Sequence, residues 1–385
     1  FGIADMEAWI GFGAKVNKTD EKQKNAAEDQ SVSVKATDTT TRTAIGATLA
    51  AGDSSGVGAG ILVDVQKNTT SAYVADTAEV AAKGNIEVKA DSTKTVTGLT
   101  ASAGAGNSGT GAAGSVGIYY VGGGKNSDAD TALTKAGAES VQKLIGEAET
   151  AARSRIKSSD NELLASQSGD TAKTVGATAV QENMKEAQAE SAASTEATAS
   201  MKKDTSAYIG DAGVISSKGI VSVDAEDTVN MNTVNGTVAV SAGSTALGGA
   251  VGVDVINSSA NASVFSGADV QADQAVKVEA AAKDTLRNAI AGGTVSGSST
   301  GVTGVLAVAV DTEKARVSIG TDGAVDSDGK KKTTTVKSTT DSITAAAKHT
   351  AVVDNLAGAL GMVSSTGIGL RVGTEIVTHE TSALV

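Results

Sequence analysis

The 385-residue chain reads as an all-β protein, a parallel β-helix (β-solenoid) of about five repeats of some 55 residues, carrying one helical insertion. Three observations predict this fold: a recurring alternating strand, a long match between distant copies, and a composition suited to narrow stacked layers. The strand recurs as Val32, Val34, Ala36; Ile86, Val88, Ala90; Val221, Val223, Ala225; Val276, Val278, Ala280; and, degenerate, Thr334, Val336, Ser338. Its starts lie 54, 135, 55 and 58 residues apart, and a fixed period of this size marks a repeat architecture. Residues 367–385 (GIGLRVGTEIVTHETSALV) align with 56–74 (GVGAGILVDVQKNTTSAYV) over nineteen positions without a gap. Copies ending at Val264 and Ile319 follow the same logic.

Composition supports stacked layers over a single globular core. Aromatics are 2% of the chain, with Val, Ala, Ile and Gly in their place, as expected where each unit packs mainly on its neighbours. Proline is absent. Because it cannot donate to a β-ladder, its absence fits a backbone paired along most of its length. Cysteine is absent too, which excludes disulfides, thiolate nucleophiles and Cys-based metal sites. The net charge of −12 disfavours nucleic acid, whose binding needs cationic neutralisation of phosphates. No apolar run approaches the length of about 20 residues that a membrane span requires. The chain begins at Phe1 with no signal-like pattern, as expected of an internal fragment.

The alternation in residues 72–90 (AYVADTAEVAAKGNIEVKA) points small and branched side chains one way and charged ones the other. That stretch has the size of one β-helical coil, so each repeat is expected to make about three coils. Five repeats would then form a rod on the order of 70 Å at about 4.8 Å per coil. The alternative is one such coil plus a long hairpin, with residues 95–103 pairing with 111–121 across a Gly/Ser turn.

The 135-residue spacing divides the chain. Residues 1–31 are a partial preceding repeat, 32–121 solenoid repeats, 122–204 the insertion, and 205–385 further repeats with the last one truncated. Within the insertion Leu133, Val141, Leu144, Ile145, Ala148, Ala152 and Ile156 follow helical spacing. Ser159 and Glu162 form a capping box ahead of Leu163 and Leu164. The expected form is a helical hairpin or small bundle that leaves the stack through a turn.

The segments 78–90 (AEVAAKGNIEVKA), 212–225 (AGVISSKGIVSVDA) and 268–280 (ADVQADQAVKVEA) resemble the repeats of large bacterial exoproteins of the filamentous haemagglutinin and fusobacterial leukotoxin type. The resemblance implies a secreted or surface-displayed β-helical stalk, exported by two-partner or autotransporter routes (type V secretion) and adhesive. Its partners would be flanking repeats of the same protein, with end-to-end self-association, and a host or bacterial surface ligand. A helical insertion departs from an uninterrupted rod. It raises the alternative of a secreted toxin segment whose insertion engages a host target.

Few motifs carry chemistry. Gly104, Gly106 and Gly109 spell G-x-G-x-x-G, but a dinucleotide site needs a helix next, and residues 112–121 read as strand. His349 and His379 stand thirty residues apart. They read as surface or turn histidines, since a triad or metal site would require convergence with a carboxylate such as Glu380 or Asp354. Asp322, Asp326 and Asp328, before Gly329, are the calcium candidates, with Asp128 and Asp130 a second acidic pair. No other cofactor is expected. Asp64, Asp254 and Glu375 share one repeat position, interrupted by Tyr119 and Ala309; with three coils per repeat they would lie about 14 Å apart, on a plain solvent face. Lys330, Lys331 and Lys332 read as a loop. A β-helical polysaccharide-active enzyme would need paired carboxylates and aromatic platforms. Trp9, the four Tyr and the three Phe read as scattered, so the chain is expected to be non-catalytic.

Overall fold

A computed structural model describes residues 2–17, 27, 29–123, 204–297, 300–320 and 325–385, and among these there is no helix. The strands form three parallel sheets. Short strands β2 (Lys15–Val16), β5 (Glu79–Ala82), β9 (Gly213–Ser216), β12 (Asp269–Ala272) and β15 (Thr335–Ser338) make the first. The second holds β3 (Val32–Gly52), β6 (Ile86–Gly106), β10 (Val221–Ser241), β13 (Val276–Ser296) and β16 (Ile343–Val363). The third holds β1 (Gly2–Ile10), β4 (Gly56–Val74), β7 (Gly111–Gly123), β8 (Thr205–Ile209), β11 (Thr245–Val264), β14 (Thr300–Ile319) and β17 (Thr366–Leu384). The chain visits the sheets in rotation, so the protein is an all-β parallel β-solenoid.

Each repeat is one coil, not three. Val221 pairs with Ile86 on one side and Val276 on the other, so equivalent residues of successive copies are direct ladder neighbours. The coil is wide because its two long strands run about 20 residues each, roughly 70 Å at 3.3 Å per residue. Along the axis five coils rise only about 24 Å, which overturns the expected 70 Å rod. Nor is there a hairpin ladder between residues 95–103 and 111–121. Those strands face each other from different sheets and pair only with neighbouring coils.

The coil has two regions. Around the short strand all three sheets enclose an aliphatic core that includes Val74, Val80, Ile86, Val88, Val214, Val223, Val270 and Val278. Stacked Val and Ala suit this space because identical branched side chains nest between strands. Beyond it the two long strands close into a flat sandwich around Val96, Tyr119, Met231, Ile256 and Leu286. At the tip the backbones nearly touch. A Cβ on Gly56 would collide with the Ala105 carbonyl, and one on Gly104 with that of Ala112, so the Gly/Ser-rich turns are required by close approach.

Side-chain parity runs unbroken along each long strand, and it carries polar residues inside. In β4, Ala72 and Val74 point into the core, so Asp64, Gln66 and Asn68, an even number of residues away, point inward and are buried. Outward on the same sheet stand Val253, Leu306 and Val308, packed with Ile118, Val251, Val255 and Val310. At Asp64 and Asp254 the shared position is therefore not a solvent face, whereas Glu375, in the last coil, is exposed. The members of this position are adjacent rungs, Asp64–Tyr119–Asp254–Ala309–Glu375. Asp64 is 4% exposed and Asp254 0%.

Two boundaries shift. Thr335–Ser338 pairs with Asp269–Ala272, so the degenerate fifth copy is a short strand, and the fifth long strand begins at Ile343, opposite Val276. The 122–204 insertion interrupts a strand rather than a turn. Gly123 pairs with Asn68 and Thr205 with Thr70 of the same strand. Residues 124–203, with the helical reading and the Asp128–Asp130 pair, lie outside the described residues.

Candidate functional site: a buried histidine–carboxylate cluster

A polar seam follows the junction between the two core regions. In the first coil Asn68 donates to Asp38 and, at 3.0 Å, to Thr40. In the next, Lys94 Nζ lies 2.7 Å from Asp227 Oδ1 and 2.9 Å from Oδ2, both side chains fully buried. Burial is the largest single influence and would lower the Lys94 pKa, but the charge and hydrogen bond of Asp227 together with the charges of Asp204 and Glu313 outweigh it and hold the ammonium above its usual value.

The seam ends in five titratable side chains brought together by four strands. Asp284 comes from β13, Asp311 and Glu313 from β14, His349 from β16 and His379 from β17. His349 stacks over Ala282 and His379 over Glu313 in the parallel register. His349 Nε2 lies 2.9 Å from Asp284 Oδ1 and 3.0 Å from Glu313 Oε2. His379 Nε2 lies 2.9 Å from Asp311 Oδ2 and 3.7 Å from Asp284 Oδ2. The rings are 3.9 Å apart, centre to centre. Ser258 Oγ donates to Glu313 Oε1 at 3.2 Å.

The carboxyl groups have little compensation. Desolvation, followed by contact with Glu313, raises Asp284 to about 7. Desolvation and then the neighbouring Asp284 raise Asp311 to about 7, and Glu313 rises to about 8, again chiefly by desolvation. Asp284 Oδ2 and Asp311 Oδ1 accept no hydrogen bond. One imidazole N–H cannot satisfy two acceptors at full strength, yet each Nε2 faces two carboxylates. The arrangement can hold protons or a cation. It does not form a nucleophilic triad, because the nearby hydroxyl, Ser258, is directed at Glu313 instead of an imidazole.

The structure thus corrects the reading of the histidines as isolated surface or turn residues. They converge, but on Asp284, Asp311 and Glu313. Glu380 instead pairs with Arg316 at 2.5 Å, and Asp354 with Arg287 at 3.3 Å. Counted from Thr334, His349 has outward parity; counted from the true strand start at Ile343 it points in, since an odd shift of register exchanges the faces. Of the calcium candidates, Asp322 lies outside the described residues. Asp326 Oδ1 accepts the backbone N–H of Asp328 and of Lys330, each at 2.9 Å, and so caps its own turn. In the basic run, Lys332 pairs with Asp211 at 2.6 Å. The G-x-G-x-x-G glycines end β6 and lead into β7, with no helix.

The aromatic residues are not scattered. Trp9, Tyr73, Tyr208 and Phe265 form a ladder across four coils, with ring centres 6.1, 4.7 and 5.2 Å apart. Trp9, Tyr73 and Tyr208 are nearly parallel and Phe265 is tilted against Tyr208, so the faces of Tyr73 that a sugar would need are covered by its neighbours.

Fold and cluster define the class as a parallel β-solenoid with a charged interior seam. No protein-family model, no curated protein and no solved structure matches the chain.

Proposed function

We propose that the chain is a non-catalytic stalk segment of a larger secreted or surface-displayed bacterial adhesin or filament. One observation carries this reading. The core column formed by Ile86, Val221, Val276 and Ile343 is 0% exposed at its first three positions and 49% at Ile343. The last coil exposes Ile343 and the outer edges of β16 and β17, a surface on which a further coil can pair. Sequence repeats resembling those of filamentous exoproteins support the same reading, as does a seam that orders successive rungs. Its partners are flanking coils and an extracellular surface ligand. Light scattering and electron microscopy of the isolated chain test it. The expected result is end-to-end association that Ile343→Lys with Ala345→Lys abolishes without loss of β circular dichroism. A monodisperse single copy at high concentration overturns it.

A further inference from the structure

The geometry points to a divalent transition-metal site of the zinc class in the cluster, with Asp284, His349 and His379 as ligands and Asp311 or Glu313 completing the set. This inference goes beyond the stalk reading and does not depend on it. One ligand atom from each of Asp284, His349 and His379 can be chosen so that all lie within 4.8 Å of one another, and the same holds for Asp284, Asp311 and Glu313. Asp284 belongs to both groups, and the two are joined again by His349 Nε2 with Glu313 Oε2 at 3.0 Å and by His379 Nε2 with Asp311 Oδ2 at 2.9 Å. A tetrahedral ion bound at about 2.0–2.2 Å sets its ligand atoms about 3.3–3.6 Å apart. The separations here lie on either side of that value: His349 Nε2 is 2.9 Å from Asp284 Oδ1 and 3.0 Å from Glu313 Oε2, and His379 Nε2 is 3.7 Å from Asp284 Oδ2.

The donor set selects the ion class. Two imidazole nitrogens with carboxylate oxygens suit zinc, nickel, copper or iron, whereas calcium and magnesium favour oxygen alone. A divalent ion would also supply positive charge among three buried carboxylates, and could be bound by Asp284 Oδ2 and Asp311 Oδ1, which accept no hydrogen bond. Asp284 and Asp311 are the buried anchors, at 3% and 0% exposure. His379, with a 23% exposed side chain, offers entry from the open end of the stack. Because the ligands come from the fourth and fifth coils and from both long sheets, the ion would pin the last coil onto its neighbour.

The chain holds two histidines, so the test is clean. Chelator-treated protein is titrated with Zn²⁺ alone by calorimetry, with Co²⁺ absorption as a second probe. Imidazole ¹⁵N spectra of the same sample report on both rings. The proposal expects one equivalent bound, tetrahedral Co²⁺ bands, shifts at both Nε2 atoms and a raised melting temperature. His379→Ala, on the exposed side, and His349→Gln should each abolish all four while keeping the β circular dichroism. Absence of Zn²⁺ binding, titration of the cluster by protons alone, or binding equal in wild type and His379→Ala would overturn it.

Discussion

Gly123 and Thr205 are bound to the same strand two positions apart. Gly123 pairs with Asn68 and Thr205 with Thr70, and the Asp204 carbonyl accepts the Thr70 N–H at 2.9 Å. A single rung, opposite Thr69, separates the pairing of Gly123 from that of Thr205. Excising residues 124–203 and joining Gly123 directly to Asp204 should therefore give a continuous strand with no added turn. The variant is expected to keep its β circular dichroism and cooperative melting, because closing a shorter loop costs less entropy. Loss of the β spectrum would show that the insertion is needed to build the stack.

Interior facing near the short strand can be tested by charge. Val223 and Val278 are 0% exposed, whereas Ser222 and Lys277 point outward. Val223→Asp or Val278→Asp should cost on the order of 4 kcal/mol by burying an unpaired carboxylate. Ser222→Asp and Lys277→Asp should stay within about 0.5 kcal/mol. Equal shifts in denaturant midpoint for the two sets would contradict the assigned faces.

Lys94 and Asp227 are a fully buried pair. Lys94→Met leaves a buried carboxylate without its cation and should cost about 3–5 kcal/mol. Adding Asp227→Leu should recover most of that loss, since a buried pair replaced by apolar residues is often neutral. A double variant as unstable as the single one would show that Lys94 acts through something other than this pair.

Asp254 is pushed up to about 8 by desolvation, against which the hydrogen bond from Thr233 lowers it. Its folded pKa lies above its unfolded value near 3.8, so between those values the folded state binds more protons than the unfolded one. Stability from this group should fall as pH rises through that window, by about 1.4 kcal/mol per pH unit where the difference is one full proton. Asp254→Asn should flatten this part of the stability–pH curve and be the more stable protein at pH 8. A variant curve parallel to wild type would mean that Asp254 stays ionised in the fold.

Much of the core was legible because stacking repeats the same residues at the same places. Val32, Ile86, Val221 and Val276 stand in register, and the inward facing of Val223 and Val278 follows from simple alternation. The number of coils per repeat was not legible. Period-two alternation reports which way a side chain points, but not whether a Gly/Ser turn folds a strand back into its own ladder or into an opposing sheet. The seam was hidden for a related reason: Asp64 sits between Val63 and Val65, and only unbroken parity from Val74 shows that the aspartate is inside. The histidine cluster was lost to a nine-residue misplacement of the fifth copy. Locating Ile343 opposite Val276 would have put His349 two positions from the Asp284 column and exposed it.

Each repeat of some 55 residues is one coil, with equivalent residues of neighbouring copies in direct contact. Ser222 and Lys277 are paired rungs on the outer face of β10 and β13, and the chain contains no cysteine. Cysteines placed at these two positions would stand about 4.8 Å apart at Cα, within disulfide range of about 4.4–6.8 Å. Mild oxidation of Ser222→Cys with Lys277→Cys should give a rapid intramolecular disulfide in the folded monomer. With three coils per repeat the two residues would lie about 14 Å apart, and a folded double variant that forms no intramolecular disulfide would contradict the account.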